Sequence, residues 1–263
     1  MSTVASTNRL NRPEMTPRMI EPAQHTAAKV AGILYLITTV MAAFAEFFVR
    51  APLIVSGDAA QTASNIMANA QLFRVSIVCD LLMAAGVVIL NLALYRLLAP
   101  VHRSLALLAA SWRMFEVAVH AAITVSSFVV LRLLSDADYL DAFEPGQLQA
   151  LARLFLGAHG SGYIVALLFF GLGSTTYFYL LVRSRYVPRV IALLGVAGSA
   201  LTVLFVLVRM LFPEWETVAI AAIRALPAVP QALLAMVFVP ILAFEVILGT
   251  WLLVKGVRIP EAG

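Results

Sequence analysis

Six long apolar stretches run through the chain, and the charge between them alternates basic, acidic, basic. A segment of about 20 apolar residues is long enough to cross roughly 30 Å of hydrocarbon as a helix. The stretches cover about 29–49, 71–98, 104–134, 155–183, 189–212 and 231–256. This pattern predicts an all-α, polytopic integral membrane protein with six transmembrane helices. In lipid, every backbone polar group must be satisfied within a helix, so each polar side chain inside a span needs its own explanation.

Composition agrees with that class. Apolar residues make up 62% of the chain and charged residues 12%, far from the balance of a soluble domain. The net charge of +4 is spread over span ends rather than gathered in a patch, which argues against a nucleic-acid partner. The single cysteine, Cys79, excludes an internal disulfide framework and a cysteine-based metal knuckle. Sixteen arginines against two lysines, with abundant alanine, suggest a bacterial source.

Orientation follows from where the charges sit. Lys29, Arg96, Arg103, Arg183, Arg185, Arg189, Lys255 and Arg258 flank one set of span ends. The opposite loops carry Asp58, Asp136, Asp138, Asp141, Glu144, Glu214 and Glu216, with Arg224 the only basic residue well inside them. The positive-inside rule places the N- and C-termini in the cytoplasm, in a bacterial inner (plasma) membrane. Residues 1–28 read as a disordered cytoplasmic tail, since no short apolar core with a cleavage site marks a signal peptide. Residues 29–258 form a single six-helix membrane domain on this reading.

The inner connections, Ala99–Arg103 and Ser184–Pro188, are tight. The outer loops are longer and predict short amphipathic helices. Asp58 caps one over AAQTASNIMANA, Glu144-Pro145 starts another at QLQALARLFL, and Pro213–Arg224 forms a third with Trp215 at headgroup depth. Such helices either pack at the interface or line an outward-facing vestibule.

A polar seam runs inside the spans. Arg113, Glu116, His120, Thr124 and Ser127 are spaced 3, 4, 4 and 3 residues apart and share one helix face. Charges facing lipid cost at least about 2.5–3.5 kcal/mol, so this face is expected to point into the bundle. Glu116 can pair with Arg113 one turn away and with His120 on the other side. Other spans align polar or small residues similarly: Gly32, Tyr35, Thr39 and Glu46; Ser76, Asp80 and Asn91; His159, Ala166, Gly173 and Thr176; Gly195, Gly198, Thr202 and Arg209; and Gln231, Glu245 and Gly249. Counting along each span sorts them by depth. Asn91, Arg113, Glu116 and Glu245 form a lower layer roughly 9–18 Å from the inner end, and Glu46, Asp80 and His120 an upper layer near 25 Å. These seven residues are the binding or gating candidates.

The seam suits a small-solute or ion transporter, or a sensor built the same way, with a small solute or cation as partner beside the lipid bilayer. The alternatives are a membrane-embedded enzyme or redox protein, or a scaffold subunit whose seam only fixes helix register. Enzymatic readings have little support. His120 and His159 lie about 12 Å apart in depth, too far for one haem. A zinc site could be drawn only from His120, Glu46 and Asp80, without a recognised motif. No cofactor and no metal are therefore expected. Both spans three and six carry a mid-membrane glutamate, but the two halves do not otherwise align as an inverted repeat.

Several segments in order resemble a bacterial membrane-protein family, the domain of unknown function 4386. They are AGILYLIT at 31–38, GDAAQTASNI at 57–66 with LFR at 72–74, ALYRLL at 93–98, WRMFE at 112–116, RSRYVPRVIALLG at 183–195, and FEVILGTWLLVKGV at 244–257. The resemblance covers about residues 29–258. It implies a multi-span inner-membrane protein of unassigned activity and carries over no catalytic residue.

Overall fold

The computed structural model describes residues 22–135, 138–140, 142–212, 214 and 238–257. Helix α1 runs from Pro22 to Ala43 and continues through a π-helical stretch, Phe44–Arg50, to Leu53. Then follow α2 (Ala59–Ala68), α3 (Ala70–Leu98), α4 (Arg103–Leu133), α5 (Pro145–Ser184), α6 (Arg189–Leu211) and α7 (Phe238–Val254). A single 3₁₀ turn, Asp138–Leu140, lies between α4 and α5. No strand occurs among the described residues.

Five helices, Ala23–Leu53, α3, α4, α5 and α6, are long and apolar enough to cross a bilayer. The described part of the last stretch is the 17-residue α7, and residues 231–237 of that expected span lie outside the described residues. Large apolar side chains cover the outside: Phe48 is 70% exposed, Leu92 57%, Phe115 57% and Leu204 56%. Facing water, so much exposed hydrocarbon would drive association, whereas facing lipid it costs nothing.

Each long helix packs on its sequence neighbour, and α7 closes back onto α1 and α6. The short connections from α3 to α4 and from α5 to α6 make those neighbours antiparallel. The close approach of α1 to α7 needs small residues. A methyl group on Gly32 would lie 2.7 Å from the Leu253 backbone nitrogen, and one on Gly249 3.2 Å from the Gly32 carbonyl oxygen. One apolar core, including Tyr35, Leu94, Leu97, Tyr177, Phe178 and Leu248, fills one end of the ring. A second, around Ile66, Phe73, Ile77 and Val130, sits under α2 at the other end.

The helix ends obey local chemistry. Asp58 caps α2 by accepting a 2.8 Å hydrogen bond from the Gln61 amide, as its position implies. His102 Nδ1 accepts from the Leu105 amide at the start of α4. Glu144 and Gln147 form a reciprocal capping box at the start of α5. Arg185 turns the chain out of α5 in a left-handed conformation, with φ of 56°.

Three expectations are corrected. The amphipathic helix expected at QLQALARLFL is not separate, since it is the first part of the 40-residue α5. Helix α1 starts at Pro22, so residues 22–28 are helical rather than part of a disordered tail, and residues 1–21 lie outside the described residues. The first span also continues past 49 to Leu53, through the π-helical stretch. Pro52 explains that stretch. It has no N–H for the usual carbonyl partner, and the Ala51 N–H bonds back to Glu46, five residues earlier. The helix expected at Pro213–Arg224, with Trp215, falls outside the described residues apart from Glu214.

Candidate functional site

The α4 stripe faces inward along its whole length. Arg113, Glu116, His120, Thr124 and Ser127 are all buried. Gly173 of α5 makes room for Arg113: a methyl group there would lie 2.8 Å from Arg113 Cγ and 3.1 Å from the Ala109 carbonyl oxygen. The guanidinium stands 4.7 Å from the centre of the Phe170 ring, a cation–π distance. Its Nη1 lies 2.6 Å from Glu116 Oε2. That contact is an ion pair by distance but not a hydrogen bond by angle, so both atoms keep unmet hydrogen-bonding capacity.

Glu245 of α7 is also buried, and it accepts a 2.9 Å hydrogen bond from the Thr39 hydroxyl of α1. Arg113 lies within electrostatic reach of Glu245 as well as of Glu116. His120 packs edge-on against Tyr163 of α5, with ring centres 5.7 Å apart. These groups line a cavity of about 90 Å³ between the helices. Its walls come from α1, α3, α4, α5 and α7, and its polar lining includes Thr39, Glu46, Arg113, Glu116, His120 and Glu245.

A second cluster adjoins this cavity, centred on a residue that sequence reasoning did not single out. Arg50, at the end of the π-helical stretch, is 3% exposed. It donates to both oxygens of Asp80, with Nη1 2.6 Å from Oδ2 and Nη2 3.0 Å from Oδ1. Its Nε donates to Glu46 Oε2 at 2.9 Å. His120 Nε2 stands 4.0 Å from Asp80 Oδ1, beyond direct hydrogen-bonding distance. The spacing of Glu46 and Arg50 by four residues was the available sequence signal, because such residues meet on one helix face.

The seven candidates therefore divide differently from their depth count. Glu46, Asp80 and His120 do come together, but through Arg50. Glu46 and His120 line the same cavity as Arg113, Glu116 and Glu245, so the two layers are one continuous site. Asn91 stands apart: its Nδ2 donates to the Ala110 carbonyl at 3.1 Å, and its Oδ1 accepts from the Tyr177 hydroxyl at 2.6 Å. It ties α3 to α4 and α5 and is not among the residues lining the cavity. His159 Nδ1 donates to the Ile123 carbonyl at 3.1 Å. The Glu46 and Asp80 carboxylates of the zinc arrangement weighed above are taken by Arg50. Among the described residues, no group of three or more His, Cys, Asp or Glu side chains converges to hold a metal ion.

Five apolar helices around buried charged residues fit an integral membrane protein. The chain belongs to the family described as Domain of unknown function (DUF4386), whose model matches residues 30–256. No curated protein and no solved structure matches it.

Proposed function

We propose that the protein is a six-span protein of the bacterial inner membrane that passes or senses a small solute or cation at its central cavity. The six spans and their loops make one membrane domain, with α7 as part of the sixth span. Both termini face the cytoplasm. The basic residues Lys29, Arg96, Arg103, Arg183, Arg185, Arg189 and Lys255 flank one end of the ring, which supports that orientation.

One observation carries the functional reading. The cavity is lined by five helices, and Arg113, Glu116, His120 and Glu245 line it while each is at least nine-tenths buried. Intramembrane ionisable groups are expensive, and a purely structural seam would satisfy them completely. Here Glu116 Oε2 and His120 Nε2, on two residues that line the cavity, lack hydrogen-bond partners. A scaffold subunit is the second reading, favoured by the fully engaged Arg50 guanidinium.

The two readings separate experimentally. Purified protein in proteoliposomes is screened for uptake of small cations, amines and neutral solutes, with a thermal-shift screen of the same panel. The transporter or sensor reading expects at least one solute to move or to stabilise the protein. It also expects Glu116→Gln and Arg113→Ala to remove that response. Folded variants that keep the full response overturn it.

A further inference from the structure

The buried charges in the seam do not balance. Among the described residues, the buried cationic side chains are Arg50 and Arg113, and the buried carboxylates are Asp80, Glu116 and Glu245. Arg50 is used by Asp80 and Glu46, while Arg113 pairs directly with Glu116. Glu245 has the Thr39 hydroxyl as its hydrogen-bond donor and only the more distant field of Arg113 as countercharge. Three carboxylates against two guanidiniums leave one negative charge in excess. Glu46 keeps 41% exposure of its side chain, so it stands at the accessible edge of the cavity, where it adds to the negative field. An uncompensated buried charge costs several kcal/mol, so a site with this excess favours the uptake of a positive charge.

The groups best placed to receive that charge face the same space. His120 and Glu116 lie one helical turn apart on α4, both residues line the cavity, and each has a buried side-chain atom without a hydrogen-bond partner. Around the same space stand Glu46 of α1, Tyr163 of α5, Glu245 of α7 and Arg113 of α4 itself, and His120 Nε2 lies 4.0 Å from Asp80 of α3, which Arg50 of α1 holds. A polar-lined space of about 90 Å³ is roomy enough for bridging water. Water there can bridge the separated carboxylates.

We propose that the seam binds one exchangeable proton, shared through cavity waters among Glu245, Glu116 and His120 and admitted past Glu46. A proton supplies the missing unit charge without a coordination cage. One enters from bulk water as the site fills and one returns to bulk water as it empties, with no other bond made or broken. The inference rests on the reading of the cavity as a working site, and it makes protonation the event that solute entry or sensing would be coupled to.

Infrared difference spectroscopy of the full chain in nanodiscs, recorded between acidic and alkaline buffer, tests it. The expected result is a carboxylic-acid C=O band that shifts on deuteration and disappears as pH rises. Its amplitude should equal one group per protein. Glu245→Gln or Glu116→Gln should reduce that band at least twofold, whereas Glu144→Gln, at the exposed start of α5, should leave it unchanged. Nitrogen-15 NMR of the imidazoles follows His120 in the same samples and supports the inference if it carries the proton instead.

Wild-type protein alone can decide the matter if the variants do not fold. A folded protein with no titrating buried acid and a neutral His120 throughout overturns the proposal. Solute movement without a proton signal overturns it while leaving the transporter reading intact. A proton signal with no solute response does the reverse.

Discussion

Arg50 and Asp80 face each other as a two-pronged ion pair, 2.6 and 3.0 Å apart, across α1 and α3, and both are almost wholly buried. Removing one partner strands the other charge in a low-dielectric interior. Arg50→Ala is therefore expected to destabilise the protein by about 3–5 kcal/mol. Replacing both residues together, as Arg50→Met with Asp80→Leu, should recover much of that loss, since a packed apolar pair avoids the desolvation cost. Unfolding in detergent micelles by heat or by added denaturing detergent measures both. A double variant no more stable than Arg50→Ala would show that the pair does more than neutralise itself.

Arg113 owes its position to Gly173. Alanine at 173 would set a methyl group 2.8 Å from Arg113 Cγ and 3.1 Å from the Ala109 carbonyl, pushing the side chain off Phe170 or α5 away from α4. Overpacking of this kind costs about 1–3 kcal/mol. Part of the clash is with the arginine itself, so Gly173→Ala should cost less in an Arg113→Ala background. A double-mutant cycle in thermal stability reads that coupling. Strict additivity would mean the backbone contact alone sets the cost.

Much of the helical framework was legible because lipid imposes a length and a periodicity. The apolar stretches at 71–98, 104–134 and 189–212 are helical in the structure, as Ala70–Leu98, Arg103–Leu133 and Arg189–Leu211. The inward stripe on α4 was legible for the same reason, since five polar residues on one face have nowhere else to go. Arg50 was not. An arginine at a span end reads as a flank, and its burial depends on a π-helical stretch and on Asp80, thirty positions away. The depth count also separated two layers that a single cavity joins, because rise along a helix carries no information about which side chains bend toward one another. Continuity of α5 was missed because the polar run at its start looks like a surface helix, yet no residue between Pro145 and Ser184 breaks it.

Asn91 joins three helices at once, accepting from the Tyr177 hydroxyl and donating to the Ala110 carbonyl. Tyr177→Phe removes one of those bonds with little change in shape. Interhelical hydrogen bonds in lipid average about 0.6 kcal/mol and reach about 1.7. A coupling in that range is expected from a cycle of Tyr177→Phe and Asn91→Ala, measured by unfolding in micelles. Because Asn91 does not line the cavity, Tyr177→Phe should leave any solute response found in proteoliposomes at the wild-type level. Loss of that response in a folded variant would bring Asn91 back into the working site.

The proposed orientation makes a prediction about chemical access. Ser64 on α2 and Ser104 at the start of α4 are both exposed and lie at opposite ends of the helical ring. Cys79 is the only native cysteine, so Cys79→Ala supplies a background without thiols. With both termini in the cytoplasm, Ser64→Cys should react with a membrane-impermeant maleimide on intact cells, where Asp58 and the α2 that it caps face outward. Ser104→Cys, beside the basic residue Arg103, should react only after the membrane is opened. The charge bias behind this orientation comes from arginines and lysines close to the span ends, where the positive-inside rule has most force. The opposite labelling pattern would invert the protein in the membrane, so that Glu46 and the accessible edge of the cavity would face the cytoplasm. Protons would then enter the seam from within the cell.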